Sequence, residues 1–108
     1  MNKANLDMNI FTMKFGKMEV PTDEHLKKVK EEFEELREAH GNYASSSFWN
    51  LNKEDIEGTK YLLCSKALDM IQTSISFVSH LIEEGIMTDE DIKAWKVKLE
   101  DRKKKYLK

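Results

Sequence analysis

Apolar positions along this chain recur at helical spacing in three stretches, and nowhere in a sustained two-residue alternation. The strongest stretch is Ala67 to Ile82, sixteen residues in which Asp69 is the one formally charged side chain. Wound as a helix, Leu63, Ala67, Met70, Ile71, Ile75, Phe77, Val78, Leu81 and Ile82 cover about half of its surface. Lys66, Asp69, Thr73, Ser76 and His80 form a narrow polar strip opposite. Asn52 followed by Asp55 resembles a capping box and opens this helix, and Gly85 stops it after Glu84. Gly58 weakens the first turns by about 1 kcal/mol relative to alanine.

An earlier stripe, Leu26, Val29, Phe33, Leu36 and His40, has the 3, 4, 3, 4 spacing of a helix-packing seam. Pro21-Thr22 offers a start, Asp23 and Glu24 suit the positive end of the helix dipole, and Gly41-Asn42 predicts the end. Thr88 with Asp91 opens a third helix carrying Ile92, Trp95 and Leu99, with Tyr106 near its frayed basic end. The predicted helices are therefore 23–40, 53–84 and 89–105. Residues 1–20 read as an arm, a short strand or helix laid on a domain of residues 21–108. Four of the six methionines sit in that arm, which suits adaptable packing. Residues 41–52 read as a loop. Its Phe48 and Trp49 are either a lid that stacks on a ligand base or aromatics folded back onto the core.

The expected fold is all-α, an antiparallel helical bundle of three main helices plus the N-terminal arm. The second helix is apolar over too wide an arc for two neighbours to cover. This predicts a helix-mediated homodimer or higher oligomer sharing that face.

Composition agrees with a helical domain: 35% of residues are charged, with four glycines and one proline. Cys64 is the single cysteine, so no intramolecular disulfide forms; this suits the reducing cytoplasm, and a small buried core residue is the expected role. No apolar run reaches the length of a membrane span, and no signal peptide is evident. The net charge of −2 conceals a split. Residues 1–92 carry 10 basic and 18 acidic side chains, whereas residues 93–108 carry 8 and 2. A solvated basic helix end is expected rather than a nucleic-acid contact.

Candidate chemistry lies in the carboxylates. In Glu31-Glu32-Phe33-Glu34-Glu35, Glu31 points away from the apolar stripe, while Glu32 lies about 80° off it, at the boundary. Glu35 follows one turn later on the same side, beside the small Ala39. Facing Asp69 across a bundle, Glu32 and Glu35 would make an oxygen-rich site for a hard cation such as Mg²⁺ or Mn²⁺. The run is otherwise a solvated acidic face, and Asp69 pairs with Lys66 one turn earlier. His25, His40 and His80 show no ligand spacing. No glycine-rich phosphate loop and no cysteine pair for zinc occur.

Glu31-Glu32-Phe33-Glu34-Glu35-Leu36-Arg37-Glu38-Ala39 resembles the acidic EExxE helix of the MazG-like all-α nucleoside triphosphate pyrophosphohydrolases. Ala67-Leu68-Asp69-Met70-Ile71-Gln72 resembles their second motif, ExxD before an apolar helix, in its small phage-like form. The stretch from Trp95 through Lys98 to Arg102 and Tyr106 is similar to the basic third helix of those short relatives. The resemblance spans roughly residues 22–106. It implies a helical bundle, dimeric or higher, that holds Mg²⁺ and cleaves a nucleoside triphosphate to a monophosphate and pyrophosphate. Glu32, Glu35 and Asp69 match three of its four metal ligands and catalytic carboxylates. Lys66, Lys98 and Arg102 would then meet substrate phosphates. The fourth ligand position is Lys66 here, and an ammonium beside a divalent ion replaces attraction by repulsion. Three expectations follow: a Mg²⁺-dependent pyrophosphohydrolase, a weakened relative that retains nucleotide binding, or an inactive helical interaction module.

Overall fold

The computed structural model describes residues 4–13, 21–49 and 52–106, and within them the chain is all-α. A single 3-10 turn, Met8–Ile10, precedes three helices: α1 (Thr22–Phe48), α2 (Lys53–Glu83) and α3 (Asp89–Tyr106). Part of the predicted arm, residues 1–3 and 14–20, lies outside the described residues. Its described portion is laid on α2, as expected. The Thr12 N–H donates to Gln72 Oε1 at 2.9 Å, and Gln72 Nε2 donates to the Thr12 carbonyl at 2.7 Å. Met8 and Met13 border one groove with Met70, Ile71, Ile75 and Val78, so the arm reaches the broad apolar face of α2.

Local chemistry explains most helix ends. Asn52 caps α2 by accepting the Asp55 N–H at 2.9 Å. Gly85 takes φ of +72°, a left-handed conformation that glycine adopts without steric cost, and the Ile86 and Met87 N–H groups return to the Leu81 carbonyl. The Thr88 N–H and hydroxyl both donate to Asp91 Oδ2 at 2.9 Å, which opens α3. At α1 the expected cap departs from prediction: Pro21 is the cap residue and supplies no side-chain bond. Thr22 Oγ1 turns instead to His80 Nε2 at 2.8 Å.

α1 runs eight residues past the predicted end at His40, through Gly41 and Asn42 to Phe48. A glycine inside a helix costs about 1 kcal/mol, which tertiary pairing can offset. The first half of α2 would lack a neighbour if α1 stopped at His40. Ser46 Oγ and Thr59 Oγ1 meet at 2.8 Å across the two helices there. The predicted lid is thus mostly helix. Phe48 and Trp49 meet edge to face, their ring centroids 5.1 Å apart, and stay exposed, so they do not fold back onto the core.

α1 and α2 form an antiparallel hairpin: His25 meets His80, Glu35 meets Lys66 and Ser46 meets Thr59, the partner number falling as the first rises. Every α1 residue withdrawn from the surface lies on one 3, 4 repeat: Thr22, His25, Val29, Glu32, Leu36, Ala39, Tyr43 and Ser46. Val29 and Leu36 belong to the predicted stripe, but Leu26, Phe33 and His40 are exposed, so the seam is rotated by about 60°. α2 answers with Ser76, Ser79 and His80 as its buried residues. Small and hydrogen-bonding side chains are the fully buried members of this seam, while Val29, Leu36 and Tyr43 are half-buried on it and Leu26 and Phe33 stay outside. Ala39 is the one buried apolar residue described. Cys64, expected in the core, is exposed because it lies off this seam.

Candidate carboxylate–lysine site

The antiparallel register sets the middle of α1 against the middle of α2, which brings Glu32, Glu35, Lys66 and Asp69 to one patch. Glu32 and Glu35 lie one turn apart on α1, as do Lys66 and Asp69 on α2. Lys66 Nζ donates to Glu35 Oε2 at 3.1 Å and stands 4.0 Å from Asp69 Oδ2. Glu31 is exposed and pairs with Lys28 at 3.6 Å, turned outwards as the helical geometry predicts, and Glu34 is likewise exposed and pairs with Arg37 at 2.8 Å.

The charges in this patch are coupled. The hydrogen bond to Glu35, together with its charge, raises the Lys66 pKa, with further support from Asp69 and Glu32; burial opposes it. Lys66 therefore stays an ammonium. Burial, foremost, and the repulsion of Glu35 and Asp69 raise the Glu32 pKa; Lys66 and Lys28 pull it back in part. Glu32 Oε2 is buried without a hydrogen-bond partner, an environment that favours the protonated carboxyl.

These residues do not fit a divalent ion as they stand. Three carboxylates offer suitable hard oxygen donors, but two of them, Glu35 and Asp69, already face the Lys66 ammonium. Among the described residues, no three His, Cys, Asp or Glu side chains are arranged to hold a metal. Nor are all the expected phosphate contacts assembled. Lys98 and Arg102 border a groove on α3 with Val97 and Lys105, and α3 packs on neither α1 nor α2. Beside the patch runs a cleft of about 350 Å³ bordered by His25, Lys28, Glu32, Asp69, Gln72 and Thr73.

One feature of the seam escaped the reading of single helices. His25 and His80 are both buried, with ring centroids 4.3 Å apart, and His80 Nε2 is held by Thr22. His25 Nε2 has no hydrogen-bond partner among the described residues. The available signal was the complementary seven-residue spacing of His25, Glu32, Ala39 and Ser46 with Thr59, Lys66, Thr73 and His80. It appears only when the two helices are aligned antiparallel.

No helix among the described residues is long and apolar enough to cross a membrane. Compared with known proteins, the chain matches no family model, no curated protein and no solved structure.

Proposed function

We propose that this protein is a non-hydrolysing helical interaction module, in which Lys66 takes the place that a divalent cation would hold among Glu32, Glu35 and Asp69. The observation that carries this reading is the position of Lys66 Nζ, 3.1 Å from Glu35 and 4.0 Å from Asp69. An ammonium there offsets carboxylate repulsion and links α1 to α2 with no metal required. The cluster then has a structural role: it fixes the register of the hairpin that presents the outer faces to a partner.

A second reading, a Mg²⁺-dependent nucleoside triphosphate pyrophosphohydrolase, is favoured by the convergence of the same three carboxylates. It requires Lys66 to leave the patch, and its side chain is 31% exposed, so a path to solvent exists. Pyrophosphate release from a panel of ribo- and deoxyribonucleoside triphosphates with Mg²⁺ or Mn²⁺ separates the two. The interaction-module reading expects no release and no heat on calorimetric titration of either metal. Lys66→Glu should gain metal binding, and the further change Asp69→Asn should remove it. Release of pyrophosphate by the wild-type protein would establish the second reading. A Lys66→Glu variant that binds metal no better than wild type would return Glu32 and Glu35 to a solvated acidic face.

A further inference from the structure

Two buried polar atoms of α1, His25 Nε2 and Glu32 Oε2, have no hydrogen-bond partner among the described residues. Both side chains border the same cleft, the one of about 350 Å³ beside the carboxylate patch. That volume falls at the small end of ligand pockets, about 300–1,000 Å³. A buried polar group without a partner is destabilising, so a cleft with two of them favours a molecule that satisfies both. The terminal torsions of glutamate and histidine are broad, and a rotation there turns either atom towards the cleft without moving the helix.

Other groups of the lining are already engaged. Gln72 Nε2 donates to the Thr12 carbonyl and to Ser76 Oγ, and Ser76 Oγ donates to the Gln72 carbonyl. Lys28 borders the cleft as well, but its Nζ lies 3.6 Å from the exposed Glu31. Lys66 Nζ is held at Glu35. The demand for a partner is therefore concentrated at two points, two helical turns or about 10 Å apart along α1.

The two points differ in charge. At one, Glu32 and Asp69 both border the cleft, and among the described residues neither Lys28 nor Lys66 forms an ion pair with Glu32. Glu35 and Asp69 repel the Glu32 carboxylate, and a further cation relieves that repulsion. An ammonium supplies the charge together with three donors, and it needs no cage of ordered oxygens. At the other point, His25 is 3% exposed and its ring stacks on the buried His80. A second full charge would be costly to bury there. A hydroxyl suits the position, because it both donates and accepts and so meets either tautomer of a neutral imidazole.

We propose that the cleft is a binding site for a small linear amino alcohol, whose ammonium lies at Glu32 and Asp69 and whose hydroxyl meets His25 Nε2. The site stands on His25, Glu32 and the cleft, and not on Lys66 in place of a metal. Pyrophosphate release by the wild-type chain would therefore end the interaction-module reading and leave this one intact.

The test is calorimetric titration of the full chain with aminobutanol, its amine and hydroxyl at opposite ends, beside butylamine and butanol. A ligand this small should bind aminobutanol's site with a Kd of about 1 mM. Butylamine should bind about tenfold more weakly, and butanol should give no heat. Glu32→Gln should weaken aminobutanol binding about tenfold or more. That change removes a repelled charge and should leave the fold more stable, so unfolding cannot account for the loss. His25→Phe keeps an aromatic ring against His80 and should lower the affinity for aminobutanol to that for butylamine, with circular dichroism confirming the fold. No binding of aminobutanol, equal binding of aminobutanol and butylamine by the wild-type chain, or undiminished binding by Glu32→Gln would each overturn the proposal. So would a folded His25→Phe chain that still prefers aminobutanol.

Discussion

The α1–α2 hairpin and α3 are both capped, amphipathic helical segments, but among the described residues α1 and α2 pack on each other while α3 packs on neither. In the hairpin, bonds between elements fix register: Thr22 to His80, Lys66 to Glu35, Ser46 to Thr59. Among the described residues, the side-chain bonds of α3 are local, from Thr88 to Asp91 and from Lys103 to Glu100. Local bonds decide where a helix starts and stops. They carry no information about what it packs on. Helix formation and helix placement are thus separate physical problems in this molecule.

The comparison can be broken most forcefully at Ala39, the buried small residue on the seam. Ala39→Phe should force α1 and α2 apart and cost about 3 kcal/mol in urea unfolding, while amide protection in the first turn of α3 stays as it was. A smaller break is Thr22→Val. It leaves His80 Nε2 buried without its partner and should cost about 1–2 kcal/mol, again without touching the start of α3.

Glu32→Gln sharpens the account of the seam in the opposite direction. Because the folded-state pKa of Glu32 is raised, its contribution to stability is fully present below the ordinary value of 4.5 and is lost as pH rises through the folded value. The neutral glutamine should therefore raise Tm at neutral pH by about 2 °C. The advantage should vanish in acid, which a calorimetric series across pH would show.

The smallest effect belongs to α3. Its Asp91 pKa is lowered by the Thr88 backbone bond first and the Thr88 hydroxyl second. Its contribution is thus present above the ordinary value of 3.8 and is lost as pH falls through the folded value. Asp91→Asn should fray the first turn of α3 in hydrogen exchange and leave protection at His25 and His80 unchanged.

Several features were legible because they are written in neighbouring residues. Asn52 with Asp55, Gly85, and Thr88 with Asp91 fix helix ends through bonds that span three to six positions. The apolar breadth of Ala67 to Ile82 is equally local. Gly41-Asn42 misled for the same reason: its local tendency to end a helix is about 1 kcal/mol, and pairing with the start of α2 overrides it. The single-helix stripe of Leu26, Phe33 and His40 misled because hydrophobicity marks a face to be covered, without saying by what.

By itself, the sequence determined an all-α chain, the extents of α2 and α3, and the gathering of acid on α1 and base on α3. Those properties follow from helical periodicity, capping chemistry and charge count, all of which act within a few residues. Only the tertiary structure decided that α1 continues to Phe48 and that His25 stacks on His80. It alone seats Lys66 between Glu35 and Asp69 and leaves α3 off the hairpin. Each of these depends on the register between helices. That register is set by the summed fit of many weak contacts between residues distant in sequence, and no single segment encodes it.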